Sequence, residues 1–353
     1  MEITVNTSKP YRIVIGRGCL GETGRRAGAL FRPGSRAFVV TDSNVAPLYL
    51  GRVRQSLSEA GFYTGEHVFP AGEESKQLST IRDIYQSLAE SGVTRSDFVV
   101  ALGGGVTGDM AGFAAATFLR GIPFVQIPTS LLAQIDSSVG GKTGVDLPQG
   151  KNLVGAFHQP ALVMIDPDTL GTLPPRFFSD GMGEAVKYGC IRSAELFEKI
   201  GGGVKGPQLD SMIAACIDIK RQVVEHDEFD RGERMLLNFG HTFGHALEKY
   251  YGFGKHTHGE AVGIGMVMMA RAGEAQGITE PGTAEKIAGA LARYGLPADD
   301  PAPLDELLRA ARLDKKGMGD TLNLIVLRKI GDSLRRPIRR DSLGAFMRGE
   351  AYE

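Results

Sequence analysis

The sequence lacks any surplus of charge that would draw it to a polyanion. Its 353 residues include 40 Lys and Arg against 41 Asp and Glu, a formal net charge of −1, and no Lys/Arg run suggests a nucleic-acid or membrane partner. Such a balance produces no field that would gather nucleic acid or an anionic membrane surface. We therefore expect small-molecule partners, with no nucleic acid and no membrane.

Cysteine is scarce as well. Cys19, Cys190 and Cys216 show no CxxC spacing and cannot all pair with one another, which is typical of a reduced compartment. The first residues, "MEITVNTSKPYRIVIG", alternate like a strand and lack the basic and apolar regions of a signal peptide. These features predict a cytoplasmic protein.

Apolar stretches that are long and uninterrupted enough to span a membrane are also missing. The run "FVVALGGGVTGDMAGFAAATFL" (98–119) comes nearest to the length of a membrane span, but it contains three consecutive glycines and Asp109. It predicts a buried strand, a tight turn and a buried helix.

What the sequence does contain is an alternation of short apolar runs and helical stretches in its first half. The apolar runs are continuous, as expected for strands of a parallel sheet that helices cover on both faces; they lie at 37–44, 97–105, 123–130 and 161–167. After residue 170 helical signals dominate, apart from a β-like run at 321–327. We predict a Rossmann-like α/β nucleotide-binding domain (1–170) and a mainly α-helical domain that binds metal and substrate (171–353).

Glycine is abundant, with 48 residues, roughly twice the usual share. Gly103, Gly104 and Gly105 separate a strand from a helix, and a helix N-terminus beside such a turn attracts a pyrophosphate. The spacing is not that of G-x-G-x-x-G, and close helix–strand packing is an equal alternative. Asp42, at the end of an earlier strand, could accept hydrogen bonds from a ribose.

A glycine-rich segment, "IDSSVGGKTGVDLPQGKN" (135–152), groups Asp136, Lys142, Asp146, Lys151 and Asn152. It could be a solvated surface loop. Because its flanks are apolar, however, the loop enters and leaves the core, and lysines near a core normally face an anion.

The stretch "DGMGEAVKYG" (180–189) reads as a helix with Asp180, Glu184 and Lys187 on one stripe. The stripe could be solvated and contain an ion pair. Small residues around it predict tight packing instead, and a packed carboxylate needs a cation, either Lys187 or a metal.

Four of the seven histidines lie within 241–258. If 238–250 is helical, His241 and His245 share a face with Asn238, and H-x-x-x-H is a familiar metal-binding spacing. Local spacing thus favours His241 and His245 with a distant carboxylate, and locally hydrogen-bonded histidines are the alternative. In the metalloprotease form of this motif a Glu directly follows the first His, but here Thr242 follows His241, which argues against that kind of hydrolysis. His258 precedes an apolar helix and is expected to point inward, whereas His256 is expected to be a bystander.

Four stretches together resemble the 3-dehydroquinate synthase family of sugar-phosphate cyclases. They are "GGGVTGDMAGFAAATFLRGIPFVQIPTSLLAQIDSSVGGKTGVDLPQGKNLVGAFHQP" (103–160), "LPPRFFSDGMGEAVKYG" (173–189), "ERMLLNFGHTFGHALE" (233–248) and "HGEAVGIGM" (258–266). The resemblance implies one divalent ion, zinc or cobalt, held by Glu184, His241 and His258. His245 then becomes a substrate-side residue and not a ligand.

The resemblance also implies transient use of NAD+ in an active site in the cleft between the domains. The implied cofactor contacts are Asp42, Glu73, Lys76, Gly104, Gly105, Asp109, Thr129, Ser130, Asp136, Lys142, Lys151 and Thr169. The implied substrate pocket comprises Lys142, Asn152, Lys187, Lys220, Arg234, Asn238, His245 and one of Lys315 and Lys316. Arg120 is expected to reach the site of a neighbouring subunit, which implies a homodimer.

The reaction implied is conversion of 3-deoxy-D-arabino-heptulosonate 7-phosphate to 3-dehydroquinate and phosphate, through oxidation, elimination, re-reduction, ring opening and aldol closure. Three positions depart from the family pattern: Thr107 replaces a bulky aliphatic residue, Gly183 replaces Ala, and His256 is added. The alternatives are a metal- and NAD-dependent polyol dehydrogenase, a cyclase for another sugar phosphate, and a non-catalytic protein that kept the fold.

Overall fold

The computed structural model describes residues 1–252, 254–312 and 320–352. Contacts divide the chain into two units, Met1–Pro174 with Lys220–Phe229, and Pro175–Ile219 with Asp230–Glu353. The first division lies close to the boundary predicted at 170. A single boundary, however, does not account for Lys220–Phe229. This segment belongs to the first unit, although residues of the second unit flank it on both sides.

The strands of the first unit form one large sheet and one hairpin. They are β1 (Glu2–Val5), β2 (Tyr11–Ile15), β3 (Arg36–Asp42), β4 (Tyr63–Phe69), β5 (Phe98–Gly103), β6 (Phe124–Pro128), β7 (Lys142–Leu147), β8 (Gly150–Phe157) and β9 (Leu162–Ile165). Seven of them pair in the order β1-β2-β9-β6-β5-β3-β4. Only the β1–β2 pair is antiparallel within this sheet, so the predicted parallel α/β sheet is confirmed.

The helices of the first unit cover this sheet. They are α1 (Thr23–Gly28), α2 (Gly51–Glu59), α3 (Leu78–Glu90) and α4 (Gly105–Thr117), with short 3₁₀ or π turns at Cys19–Glu22, Ala46–Leu50, Glu73–Ser75, Phe118–Arg120, Ala133–Ser137 and Pro167–Thr172. Every residue of β5 is buried. Val100 packs in the core on one face and Val99 in the core on the other, which explains why this strand is a continuous apolar run.

The segment 135–152 is not a loop, contrary to our prediction. It contributes the hairpin of β7 and β8, whose strands pair antiparallel with Lys142 opposite Phe157. The burial pattern of β7 does not alternate, because the consecutive residues Gly144 and Val145 are both buried, and period-2 reasoning therefore gave no strand signal here.

The second unit is mainly helical, as predicted. Its helices are α5 (Pro175–Arg192), α6 (Ala194–Gly202), α7 (Pro207–His226), α8 (His241–Tyr250), α9 (His258–Ala275), α10 (Thr283–Ala292), α11 (Leu304–Arg312) and α12 (Leu343–Arg348), with a 3₁₀ turn at Glu233–Asn238. The last residues of α7 belong to the first unit. The predicted strand at 321–327 is β10 (Thr321–Lys329), which pairs with β11 (Asp332–Arg339). None of the helices in the described part of the chain has the length and apolar character needed to cross a membrane.

Glycines bring α5, α8 and α9 into backbone contact. A Cβ at Gly259 would stand 2.0 Å from the carbonyl oxygen of Asp180, and a Cβ at Gly183 would stand 2.8 Å from that of Gly259. Between α8 and α9, a Cβ at Gly265 would stand 2.0 Å from the carbonyl oxygen of Gly240. Since these neighbours are backbone atoms, no side chain can move aside to make room.

We expect Gly259→Ala to destabilise the second unit by about 1–3 kcal/mol or more, because overpacking here forces two helices apart. Gly289→Ala is the matched control, since Gly289 lies within α10 and a Cβ added there would meet no atom within 4 Å; it should be neutral or stabilising by up to about 1 kcal/mol. Thermal and urea unfolding of both variants tests this, and equal midpoints for the two would contradict the packing described.

Candidate functional site

Three side chains that the sequence separates widely come together in the second unit. Glu184 lies within α5, His241 is the first residue of α8, and His258 is the first residue of α9. One ligand atom from each lies within 4.8 Å of the others. Nε2 of His241 and Nε2 of His258 lie 3.6 Å and 3.5 Å from Oε1 of Glu184. The three residues therefore form a candidate metal centre.

Glu184 has the features of a metal ligand. Its side chain is fully buried, and within the described structure neither carboxylate oxygen accepts a hydrogen bond of ordinary geometry. Lys187, also buried, forms an ion pair with it. Because a buried carboxylate requires a compensating cation, and two imidazoles with one carboxylate are a common donor set for zinc, these residues fit a divalent ion.

The two histidines differ in their affinity for a proton. Burial, together with the nearby charge of Lys187, holds the pKa of His241 well below its usual value, so this ring is neutral and keeps a lone pair for a ligand. Burial acts in the same direction on His258, but the attraction of the nearby Glu184 and Glu248 carboxylates outweighs it and raises the pKa of His258 to about 10.

A second group of donors overlaps the first. His245, Glu248 and His258 also bring ligand atoms within 4.8 Å of one another, and Oε1 of the buried Glu248 lies 3.4 Å from Nδ1 of His258. The sequence-based reasoning gave Glu248 no role. Its position three residues after His245 and seven after His241 places it on the same face of α8, and this spacing could have identified it.

Asn238 does not lie on α8, contrary to the face predicted for it. The 3₁₀ turn Glu233–Asn238 ends before α8, and Gly240 between them has a left-handed backbone with φ of 81°. Arg234, in the same turn, is 2% exposed, an unusual burial for a guanidinium and one that requires polar partners. His256 belongs to neither donor group found among the described residues; its Nε2 lies 2.8 Å from Asp300.

The glycine turn of the first unit has the geometry of an anion site. Gly104 is the N-cap of α4, and no side chain in the described structure caps this helix, so its first N–H groups remain available to an anion. Thr107, one of the departures from the family pattern, donates from Oγ1 to Oδ2 of Asp42 at 3.2 Å. Oδ1 of Asp42 accepts from the N–H groups of Asn44 and Val45.

Several predicted cofactor residues form a network beside this turn. The buried Nζ of Lys76 donates to Oδ2 of Asp109 and Oδ1 of Asn152, each at 2.6 Å. Burial disfavours the ammonium, but the charges of Asp109 and Glu73 outweigh it and raise the pKa of Lys76. Lys151 lies 3.5 Å from Glu73. The structure thus brings together four of the predicted cofactor residues and Asn152 of the predicted substrate pocket.

The remaining predicted residues of the first unit are distributed along it. Lys220, in the part of α7 that belongs to this unit, donates to the side chain and the carbonyl oxygen of Asp136. Thr169 donates to Thr129 and to Asp166 through their carbonyl oxygens. Ser130 accepts from the N–H of Ala133, whereas Lys142 and Arg120 are exposed. Lys315 and Lys316 lie outside the described residues.

The fold and the two groups of residues define a class: a two-unit protein with a parallel-sheet unit suited to a nucleotide and a helical unit suited to a divalent metal. Residues 66–180 match the family described as 3-dehydroquinate synthase N-terminal, and residues 181–317 match the 3-dehydroquinate synthase C-terminal family. The 3-dehydroquinate synthase of Clostridium botulinum (strain Alaska E43 / Type E3) is 48% identical over 330 residues, covering 92% of this chain and 94% of the relative. The chain belongs to the 3-dehydroquinate synthase family.

Solved structures of sugar-phosphate cyclases share this fold. A 2-deoxy-scyllo-inosose synthase complexed with carbaglucose-6-phosphate, NAD+ and Co2+ has a TM-score of 0.87 at 26% identity, covering 99% of this chain and 100% of that chain. A 2-epi-5-epi-valiolone synthase from Streptomyces hygroscopicus subsp. jinggangensis 5008, with NAD+ and Zn2+ bound, has a TM-score of 0.86 at 25% identity, covering 96% and 95%.

The buried Lys76–Asp109 pair yields a test of the network. We expect Asp109→Ala to cost about 3–5 kcal/mol of stability, because it leaves a buried ammonium without its carboxylate. The double variant Lys76→Met with Asp109→Leu should recover most of this loss. Urea unfolding measures both, with Glu195→Ala as a control that removes the exposed Lys199–Glu195 pair at a cost below about 1 kcal/mol. In a cycle of Lys76→Met, Asp109→Leu and their double variant, strictly additive effects on stability would contradict a coupled pair.

Proposed function

We propose that this chain converts 3-deoxy-D-arabino-heptulosonate 7-phosphate to 3-dehydroquinate and phosphate, as a carbon–oxygen lyase that depends on NAD+ and a divalent metal. The observation that carries the proposal is the cluster that the buried Glu184 forms with the partly exposed His241 and His258. It lies in a chain that matches 3-dehydroquinate synthases along nearly its whole length. The expectation that the active site lies between the domains stays a prediction.

In this proposal Glu184, His241 and His258 hold zinc or cobalt. When bound, such an ion acts as a Lewis acid toward substrate oxygens. Three protein ligands leave coordination positions for substrate. Two observations favour this set over the group with His245 and Glu248: the carboxylate of Glu184 lacks ordinary hydrogen bonds, and the low pKa of His241 keeps its ring neutral.

NAD+ is proposed to bind the first unit, where it supplies a reversible hydride acceptor. The uncapped start of α4 after Gly104 suits a pyrophosphate. Asp42 suits a ribose hydroxyl, since a carboxylate can accept more hydrogen bonds than the three it receives here. The solved relatives that contain NAD+ support the same assignment. The proposed contacts also include Glu73, Lys76, Gly105, Asp109, Thr129, Ser130, Asp136, Lys142, Lys151 and Thr169.

The substrate carries a phosphate and a carboxylate, so the chain must supply cations and donors. Lys187 and Arg234 in the second unit, and Lys142 and Lys220 in the first, are proposed to neutralise these groups. Asn152 and Asn238 are proposed to add amide donors. One of Lys315 and Lys316 is proposed to add an ammonium. His245 stands next to the metal residues, its ring centre 5.5 Å from that of His241, and is proposed to relay protons.

We also propose a cytoplasmic homodimer. The three cysteines are buried thiols, which suits a reducing compartment. Arg120 is exposed and has an unusual backbone with φ of 67°, directly after Leu119 with φ of 50°. Two consecutive non-glycine residues with positive φ are strained, and such strain is retained where it presents a side chain for a function. The proposed function is contact with the neighbouring subunit's substrate.

The metal assignment predicts which variants lose the ion. Because His258 belongs to both donor groups, the informative comparison is Glu184→Ala and His241→Ala against His245→Ala. We expect the first two to be isolated without stoichiometric zinc or cobalt, and His245→Ala to keep the metal while its rate falls by about 10²–10⁴. Elemental analysis by mass spectrometry after dialysis measures the content. A metal-free His245→Ala variant together with a loaded Glu184→Ala variant would reverse the assignment.

The reaction itself is tested by incubating the protein with the heptulosonate phosphate, NAD+ and zinc or cobalt. We expect phosphate and 3-dehydroquinate to appear in equal amounts while absorbance from NADH stays flat, because the cofactor is regenerated in each cycle. A polyol dehydrogenase would instead accumulate NADH with its alcohol substrate. A cyclase specific for another sugar phosphate would release no phosphate from this compound.

A further inference from the structure

The connection between α8 and α9 joins the two helices that begin with the candidate ligands His241 and His258. Asp300, far along the chain, holds this connection at both ends. Its Oδ1 accepts from the hydroxyl of Tyr251 at 2.7 Å, directly after α8. Its Oδ2 accepts from Lys255 at 2.7 Å and lies 2.8 Å from Nε2 of His256, two residues before α9.

We propose that Asp300 is a positioning residue for the metal centre: by holding Tyr251 and His256 it fixes the start of α9 and thereby places His258. This inference rests on the proposed metal assignment. It also gives His256, expected from the sequence to be a bystander, an indirect role.

The chemistry of Asp300 suits a fixed anchor. Its side chain is 3% exposed. Burial alone would raise its pKa, but hydrogen bonds from Lys255 and Tyr251 outweigh that effect and hold the pKa of Asp300 below its usual value. An ionised carboxylate only accepts hydrogen bonds, so His256 must donate from Nε2. Charge-assisted bonds of this kind are about twice as strong as neutral ones.

Further contacts fix the same helix start from the other side. Thr257 and Glu260 form a reciprocal capping box around His258. Arg176 donates to Glu260 at 3.1 Å and to the carbonyl oxygen of Lys255 at 3.3 Å. Nδ1 of His256 lies 3.7 Å from Oε2 of Glu260. His256 therefore links the Asp300 anchor to the capping box, and the segment that delivers His258 is held on two sides.

A ligand that is already in place loses little conformational freedom when the ion arrives, so a fixed helix start favours binding. Glu184 lies on α5, and His241 lies at the far end of α8 from this connection. Loosening the connection should therefore lower the affinity for the ion without abolishing the site. The expected loss is about 10-fold in affinity, the lower end of the range for residues that support a ligand from outside the coordination shell.

The test titrates the metal-free full-length protein with Co2+ against a competing chelator and records the visible spectrum of the bound ion. We expect Asp300→Ala and His256→Ala each to bind Co2+ about 10-fold more weakly, with a changed spectrum at saturation. His256→Gln keeps an N–H donor and should restore affinity to near the wild-type value. Asp299→Asn, a charge removal at the adjacent residue, which is exposed, is the matched control and should bind like the wild type.

The outcomes separate this inference from the proposed function. Wild-type affinity and an unchanged spectrum in both alanine variants would overturn the role of Asp300, while binding by the wild type and its loss in Glu184→Ala would leave the metal assignment intact. If Glu184→Ala binds Co2+ as tightly as the wild type, the metal assignment itself fails. Should Asp300→Ala not fold, the His256→Ala and His256→Gln pair decides: equal affinities of these two contradict the inference.

Discussion

The second unit depends on the complete burial of one carboxylate, that of Glu184. Removing an ionised carboxylate from water costs several kcal/mol unless a cation or hydrogen-bond donors replace the solvent. Lys187, one turn along α5, supplies a charge from the same helix, whereas His241 and His258 must come from two other helices. Those helices can reach Glu184 only because their backbones touch, at Gly183 against Gly259 and at Gly240 against Gly265. Helix packing, glycine content and the donor cluster are therefore consequences of one electrostatic requirement.

The first unit meets a different requirement with comparable means. The central strands of its parallel sheet, such as β5, are buried on both faces, and Asp42 and the turn at Gly104 lie at the carboxyl ends of strands. Near that edge the buried Lys76 donates to the partly exposed Asp109. The groups of the first unit thus suit a redox nucleotide, and those of the second unit suit a Lewis acid. A reaction that both oxidises a hydroxyl and activates its neighbours needs both sets.

Sequence reasoning predicted the parts of this structure that depend on local patterns. Continuous apolar runs located β3, β5, β6 and β9, and small residues around Glu184 indicated its tight packing. Spacing failed where a local feature interrupts the pattern: Gly240 has a left-handed backbone, which separates Asn238 from the helix of His241. Spacing also favoured the pair His241 and His245, because no local rule relates His258 to Glu184, seventy-four residues earlier. Family resemblance implies the set Glu184, His241 and His258, which stays a proposal, but it could not point to Asp300, whose proposed role rests on contacts of this particular chain.

The three departures from the family pattern illustrate how such contacts arise. Thr107 has its hydroxyl bonded to Asp42, Gly183 allows α5 to touch α9 at Gly259, and His256 is bonded to Asp300. None of the three removes a group proposed to touch metal or substrate. Each instead changes how a neighbouring residue is held: a proposed ribose acceptor, the helix of a metal ligand, and the connection before another ligand. Because a packed interior transmits small displacements to its neighbours, such contacts connect these three positions to the residues proposed to bind cofactor and metal.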